Sequence, residues 1–247
     1  MRRNSIILLI PFLFTVSCST PNQNTSLIYK DYRIEKQVTV DSNLVKMLRP
    51  YSVTMNASMN KVIGFASSNL NVKQPESGLG NFMADCMKGM AQKKFAKKVD
   101  AGFMNQGGIR SYIPQGNITV GKIFELMPFD NLVVLQEVKG AVLQQFLDKT
   151  AEEGGWPVSA GVTMGIKEKK AVQVLIGGRQ LDENATYMIA NSDYVANGGN
   201  GCEMLRKIPK LDIGYLFRDA LIEYVAELTK QGKPVDSKIE NRVTHVN

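Results

Sequence analysis

The sequence predicts an α+β fold, a mixed sheet flanked by helices, on three observations. Segments of helical and of strand-like periodicity interleave along the chain without a regular βαβ alternation. Two helices are strongly written, around Leu79–Met90 and around Leu216–Val225, where apolar residues recur at three- and four-residue spacing. No internal repeat is present.

The elements follow in order. Residues 1–17 read as a secretory signal peptide: Arg2 and Arg3, then the apolar run Ile6 to Phe14, then small residues. That run is too short to span a bilayer. Ser17-Cys18-Ser19 resembles a bacterial lipoprotein cleavage site, with Cys18 the lipidated residue, although Thr15 stands where leucine is usual. The expectation is an exported bacterial lipoprotein, anchored at the cell envelope on the periplasmic or outer-membrane face. A plain secreted protein is the alternative. The segment STPNQNTS after Cys18 is polar and aperiodic, so residues 18–35 read as a flexible tether, and residues 36–247 form one domain. DYRIEKQVTV (31–40) is expected to be extended. Asp41 or Ser42 caps a helix through Leu44, Met47 and Leu48, which Pro50 should kink or interrupt, and KVIGFAS (61–67) is a strand.

Between Glu76 and Lys98, Leu79, Phe82, Met83, Cys86 and Met90 form the apolar face of a helix with Ser77 as its cap. DAGFMN (100–105) is a short strand that breaks into a Gly/Pro loop. ITVGKIFELMPF (118–129) is a short helix stopping before Pro128. LVVLQEV is a strand and residues 139–153 a helix. VTMGIK, VQVLI, RQL and TYMIA read as antiparallel strands around a Gly177-Gly178 turn. Ile213, Leu216, Phe217, Ala220, Leu221, Tyr224 and Val225 mark the closing helix.

Composition narrows the chemistry. The only histidine is His245, so a histidine-held metal centre, a Ser-His-Asp triad and a Cys-His dyad are all poorly served. No metal ligand, cofactor or catalytic residue is therefore assigned within the chain. The formal charge of +7 falls to +5 without Arg2 and Arg3. Lysine clusters at 93–98 and 167–170 lack interleaved aromatics and read as solvated faces, not a nucleic-acid surface. Cys86 and Cys202 are expected as buried free thiols, a disulfide being the alternative.

Three irregular segments remain: NQGGIR (105–110), MPFDN (127–131) and NSDYVANGGNG (191–201). Each has a bland reading. Asn105 and Arg110 tie down a loop, Phe129 and Tyr194 pack, and the glycines supply positive φ. NGGNG has neither the spacing nor the lysine of a phosphate loop.

Taken in order with ESGLGNFMADCM (76–87), these segments resemble the C-terminal domain of the 5′-nucleotidase family, which includes bacterial UDP-sugar hydrolases and animal ecto-5′-nucleotidase. The family forms are E-x-N-x-G-N-L-x-x-D-A-M, N-x-G-G-I-R and N-F-x-A-N-G-G-D-G. The resemblance runs from about residue 36 to about 244 and implies a nucleoside-binding surface. Phe129 and Tyr194 would sandwich a base, Asn105 would contact base or sugar, and Arg110 would face the phosphate. Gly107, Gly108, Asn197, Gly199 and Asn200 would complete the site. Two departures stand out. Asn200 replaces the family's ribose-binding aspartate, and Lys73, Gln74 and Pro75 occupy the stretch where a phosphate-binding arginine is usual.

The family's metallophosphatase domain, which holds two divalent metals, has no counterpart in the sequence. The expectation is a nucleotide- or nucleoside-binding half of a 5′-nucleotidase, unable to hydrolyse phosphate esters alone and paired with a separately encoded metallophosphatase that carries the metals. The alternative is a non-catalytic nucleoside- or nucleotide-binding lipoprotein, touching the membrane through its lipid only.

Overall fold

The computed structural model describes residues 26, 28–31, 33 and 40–246. The residues read as a signal peptide, Cys18, most of those read as a tether and most of the segment 31–40 expected to be extended lie outside the described residues. The chain divides into two units, Met1–Val45 and Lys46–Asn247. Among the described residues no helix is long and apolar enough to cross a membrane.

Helix α1 spans Ser42–Met59, and Asp41 caps it by accepting from the N–H groups of Asn43 (2.9 Å) and Leu44 (3.1 Å). The interruption expected at Pro50 does not occur. Proline removes one N–H and leaves the Lys46 carbonyl without its helical donor. Both residues are exposed, so that carbonyl faces solvent and the helix continues. Strand β1 (Val62–Ala66) follows, then α2 (Gly78–Phe95) with Ser77 accepting from Gly80 N. The methionines of α2 lie in the core: Met83, Met87 and Met90 are buried, with Leu79, Phe82 and Cys86 beside them. Ala96 ends α2 in the left-handed region at φ 51°, a conformation that costs an L-residue about 1–2 kcal/mol. Ala96→Gly is therefore expected to stabilise the fold by about 0.5–1 kcal/mol, read as a raised midpoint in urea unfolding.

The remaining elements are β2 (Ala101–Gly102), β3 (Gly116–Thr119), α3 (Val120–Leu126), β4 (Val133–Lys139) and α4 (Gly140–Glu152). Then come β5 (Val162–Lys167), β6 (Lys170–Ile176), β7 (Arg179–Gln180), β8 (Thr186–Ser192) and the single turn α5 (Asp193–Ala196). The chain continues through α6 (Glu203–Arg206), β9 (Lys210–Leu211), α7 (Phe217–Lys230) and β10 (Val243–His245). Ile213 precedes α7 and is exposed, so it is not part of the helix.

Among the described residues the strands form three sheets, ordered β1-β3, β10-β5-β6-β7 and β2-β8-β4-β9. TYMIA does not extend the β5–β6–β7 meander, as the sequence had led us to expect. It is β8, which runs antiparallel to β4 and parallel to β2. Its residues Ile189 and Ala190 are fully buried, a burial that an extra strand on the small β7 edge does not offer. One core lies between α2, α3, α7 and this sheet; a second gathers α4, the β5–β6 sheet and Trp156. Cys86 and Cys202 are buried and free.

The 76–87 motif serves the architecture. Glu76, 7% exposed, accepts from Asn81 Nδ2 (2.7 Å), Glu240 N (2.8 Å) and Arg242 N (3.0 Å). Asp85 takes both Nη atoms of Arg242, at 2.7 and 2.8 Å. Arg242, 4% exposed, also donates to Val158 O. The motif thus clips the segment 238–242 against α2, and β10 continues from that clip into parallel pairing with β5.

Candidate functional site

Sheet direction brings the three irregular segments together. Strands β2 and β8 are parallel, with Ala101 opposite Ile189, so the loops following them leave from one end of the sheet. Strand β4 is antiparallel to β8, with Val133 opposite Ser192, so the loop preceding it enters at the same end. Loops at the carboxyl ends of parallel strands are where ligand sites are commonly built. A cavity of about 390 Å³ lies there, lined by Asn105, Gly107, Gly108, Arg110, Phe129, Asn131, Tyr194 and Asn200.

Local hydrogen bonds set each side chain. Ser192 caps α5 by accepting from Val195 N, which carries Tyr194 outward on the first turn. Asp193 and Leu132 are tied reciprocally: Leu132 N donates to Asp193 Oδ1 and Asp193 N donates to Leu132 O, both at 2.9 Å. The loop bearing Phe129 is thereby fixed to the turn bearing Tyr194. Arg218 holds the same loop from α7, donating to Asp130 Oδ1 (2.7 Å) and Phe129 O (3.3 Å). Phe129 and Tyr194 remain 37% and 48% exposed, and neither is needed to fill the core.

Gly199 lies under the tyrosine. A Cβ there would come within 2.5 Å of the Tyr194 ring and 2.6 Å of its carbonyl oxygen, so only glycine lets the chain pass beneath. Asn197 stands outside the lining, its carbonyl accepting from Arg206 Nε and its side chain from Lys210. Gly199 is likewise not a lining residue, and it acts through Tyr194. Asn131, which sequence reasoning passed over inside MPFDN, does line the cavity. Its backbone carbonyl accepts from Phe217 N at the start of α7, and its place inside the singled-out segment MPFDN is the signal that could have found it.

Electrically the lining holds one permanent charge, Arg110. Its guanidinium carbon is 5.5 Å from the Phe129 ring centre and Nη1 donates to Gly107 O at 3.2 Å. Asn105 is 5% exposed; its Nδ2 donates to Asn200 Oδ1 at 3.3 Å, while its Oδ1 is buried without a partner among the described residues. Asn200 sits at φ 54° in the turn Gly199–Gly201. Behind the site, burial and Glu153 push the Cys202 thiol up to about 12, so it stays protonated. Gln74 spends its amide on the carbonyls of Glu153 (2.7 Å) and Gly155 (2.8 Å) and does not line the cavity. Among the described residues no three His, Cys, Asp or Glu side chains are grouped to hold a metal.

The family model described as 5′-nucleotidase, C-terminal domain, matches residues 57–207. The 5′-nucleotidase of Vibrio vulnificus is 28% identical over 215 residues, covering 82% of this chain and 37% of the relative. The trifunctional nucleotide phosphoesterase YfkN of Bacillus subtilis is 30% identical, over 76% of this chain and 14% of its own length. Among solved structures, the 5′-nucleotidase precursor of Thermus thermophilus superposes with a TM-score of 0.71 at 27% identity, covering 82% of this chain and 43% of that one. The chain therefore spans well under half the length of these relatives.

Proposed function

The chain belongs to the 5′-nucleotidase, C-terminal domain family, and from that premise we propose that the cavity is a nucleoside clamp. The base lies between Phe129 and Tyr194, the sugar over Asn105 and the Asn200 turn, and a 5′-phosphate, where the ligand has one, against Arg110. The observation that supports this reading is convergence. Three separate segments of the sequence put two half-exposed rings, three amides and one fixed cation on a single cavity. Stacking on flat aromatic faces is worth about 1–3 kcal/mol per base and tolerates any base.

In this scheme a separate metallophosphatase would hold two divalent metals and supply the Lewis-acid chemistry of hydrolysis. This chain's part is to bind and orient the nucleoside. A lipid on Cys18 would hold the pair at the cell envelope. A second reading, capture of nucleosides or nucleotides without hydrolysis, draws support from Gln74: its amide is engaged with backbone carbonyls, leaving Arg110 alone to meet a phosphate.

Titration calorimetry with adenosine and then AMP tests the clamp. Binding in the micromolar to millimolar range is expected, with AMP tighter by about tenfold, the contribution of hydrogen bonds to a charged group. Arg110→Met should erase that advantage and leave adenosine within about threefold. Absence of heat with both ligands would end the clamp reading. An equal loss for both ligands in the variant would remove the role given to Arg110.

A further inference from the structure

The hydrogen bonds beneath the clamp run in one direction, and Glu153 sets it. A carboxylate only accepts, and an indole N–H only donates. Glu153 Oε2 accepts from Trp156 Nε1 at 2.9 Å and from Asn200 Nδ2 at 3.4 Å, while Oε1 lies 3.8 Å from Lys149 Nζ. Trp156 is fully buried, so its N–H has no solvent to turn to. The Asn200 amide is thereby oriented with its nitrogen toward Glu153 and its oxygen toward Asn105. The same logic passes one step on: Asn105 must spend Nδ2 on Asn200 Oδ1. What remains is Asn105 Oδ1, in a residue 5% exposed that lines the cavity, buried and without a partner among the described residues.

We infer that Glu153 is the positioning residue that makes the floor of the cavity a hydrogen-bond acceptor, and that a bound ligand must bring an O–H or N–H donor to Asn105 Oδ1. The inference rests on the clamp reading. An amide presents oxygen and nitrogen in nearly the same shape, so without an acceptor-only group at one end of the chain both amides are free to turn over. The floor would then accept a ligand of either polarity. With the 5′ position directed to Arg110, a nucleoside offers the donor from its 2′ or 3′ hydroxyl or from an exocyclic amine. A ligand lacking it leaves a buried carbonyl unpaired, which is expected to weaken binding by about tenfold or more.

The test titrates the full chain with adenosine, 2′-deoxyadenosine, 3′-deoxyadenosine and purine riboside, which lacks the 6-amino group. The wild type should bind one of the three analogues at least about tenfold more weakly than adenosine, and which one identifies the donor. Glu153→Gln keeps an oxygen for Trp156 and Asn200 and should keep the ratio. Glu153→Met removes the acceptor and should compress the ratio to within about twofold. Asn200→Ala breaks the same relay one residue further on and should compress it too. A purely structural role for Glu153 would lower the melting temperature of the methionine variant and leave the ratio unchanged. Equal affinity for all four ligands in the wild type, or a ratio that survives in both Glu153→Met and Asn200→Ala, overturns the inference alone. Failure of the wild type to bind any of them overturns the clamp itself.

Discussion

Tyr194→Ala and Phe129→Ala are each expected to weaken adenosine binding by about ten- to a hundredfold, at almost no cost to the fold. Each ring stacks one face of the base, worth about 1–3 kcal/mol. The two act on the same ligand, so their effects should not add independently. Because both rings are well exposed, truncation leaves no cavity in the core, and the melting temperature should move by no more than about a degree or two. Tyr194→Phe keeps the flat face and should bind within a few-fold of the wild type. Gly199→Ala should imitate Tyr194→Ala without altering either ring, since its Cβ cannot fit 2.5 Å from the tyrosine unless the ring moves. Calorimetry with thermal melts on the same samples checks both halves. Unchanged affinity in the two alanine variants would reduce Phe129 and Tyr194 to surface residues.

Arg242→Ala is expected to destabilise the fold by about 2–4 kcal/mol, somewhat below the cost of breaking a fully buried ion pair. Arg242 is buried, while the Asp85 side chain is 28% exposed and keeps a bond from Ala160 N at 2.7 Å. Here Asp85 loses two short bonds, the Val158 carbonyl loses its donor and Glu240 loses an ion pair. The Arg242 backbone N–H still reaches Glu76, so the segment need not detach wholly. Chemical denaturation of the variant measures the loss. Arg242→Lys should recover only part of it, because a single ammonium cannot match the two carboxylate oxygens as the planar fork does. A loss below about 1 kcal/mol would mean the clip is a surface ornament.

The sequence made the local parts of this structure readable and left the distant pairings hidden. Helix α2 and its buried face could be drawn from spacing alone, since Leu79, Met83 and Met90 repeat at the helical period. The partner of β8 could not: β4 lies some fifty residues earlier, and alternating apolar strands carry no label for their neighbours. TYMIA was assigned to the nearest hairpin for that reason. The short strands β3, β9 and β10 passed unnoticed because two to four residues hold too little pattern. At the site, the two rings, Asn105, Arg110 and Asn200 each had a bland reading alone and were singled out by the resemblance of their motifs to the 5′-nucleotidase family, and all five line the cavity. Asn197 looked equivalent in the text and is turned to Arg206 and Lys210, a matter of side-chain direction that spacing does not encode. Glu153 gave no signal, because it sits at the end of an ordinary charged helix and matters only through the two side chains it meets.

The clip between α2 and residue 242 also sets a timetable. Asp85 and Arg242 are 157 residues apart in sequence, and at a synthesis rate of about 5–20 residues per second roughly 8–30 s separate their emergence from the ribosome. Throughout that interval Asp85 has no guanidinium to pair with, Glu76 lacks the backbone N–H groups of Glu240 and Arg242, and β5 lacks its parallel neighbour β10. Helix α2 is thus made early and secured late, because its last side-chain tie waits for Arg242.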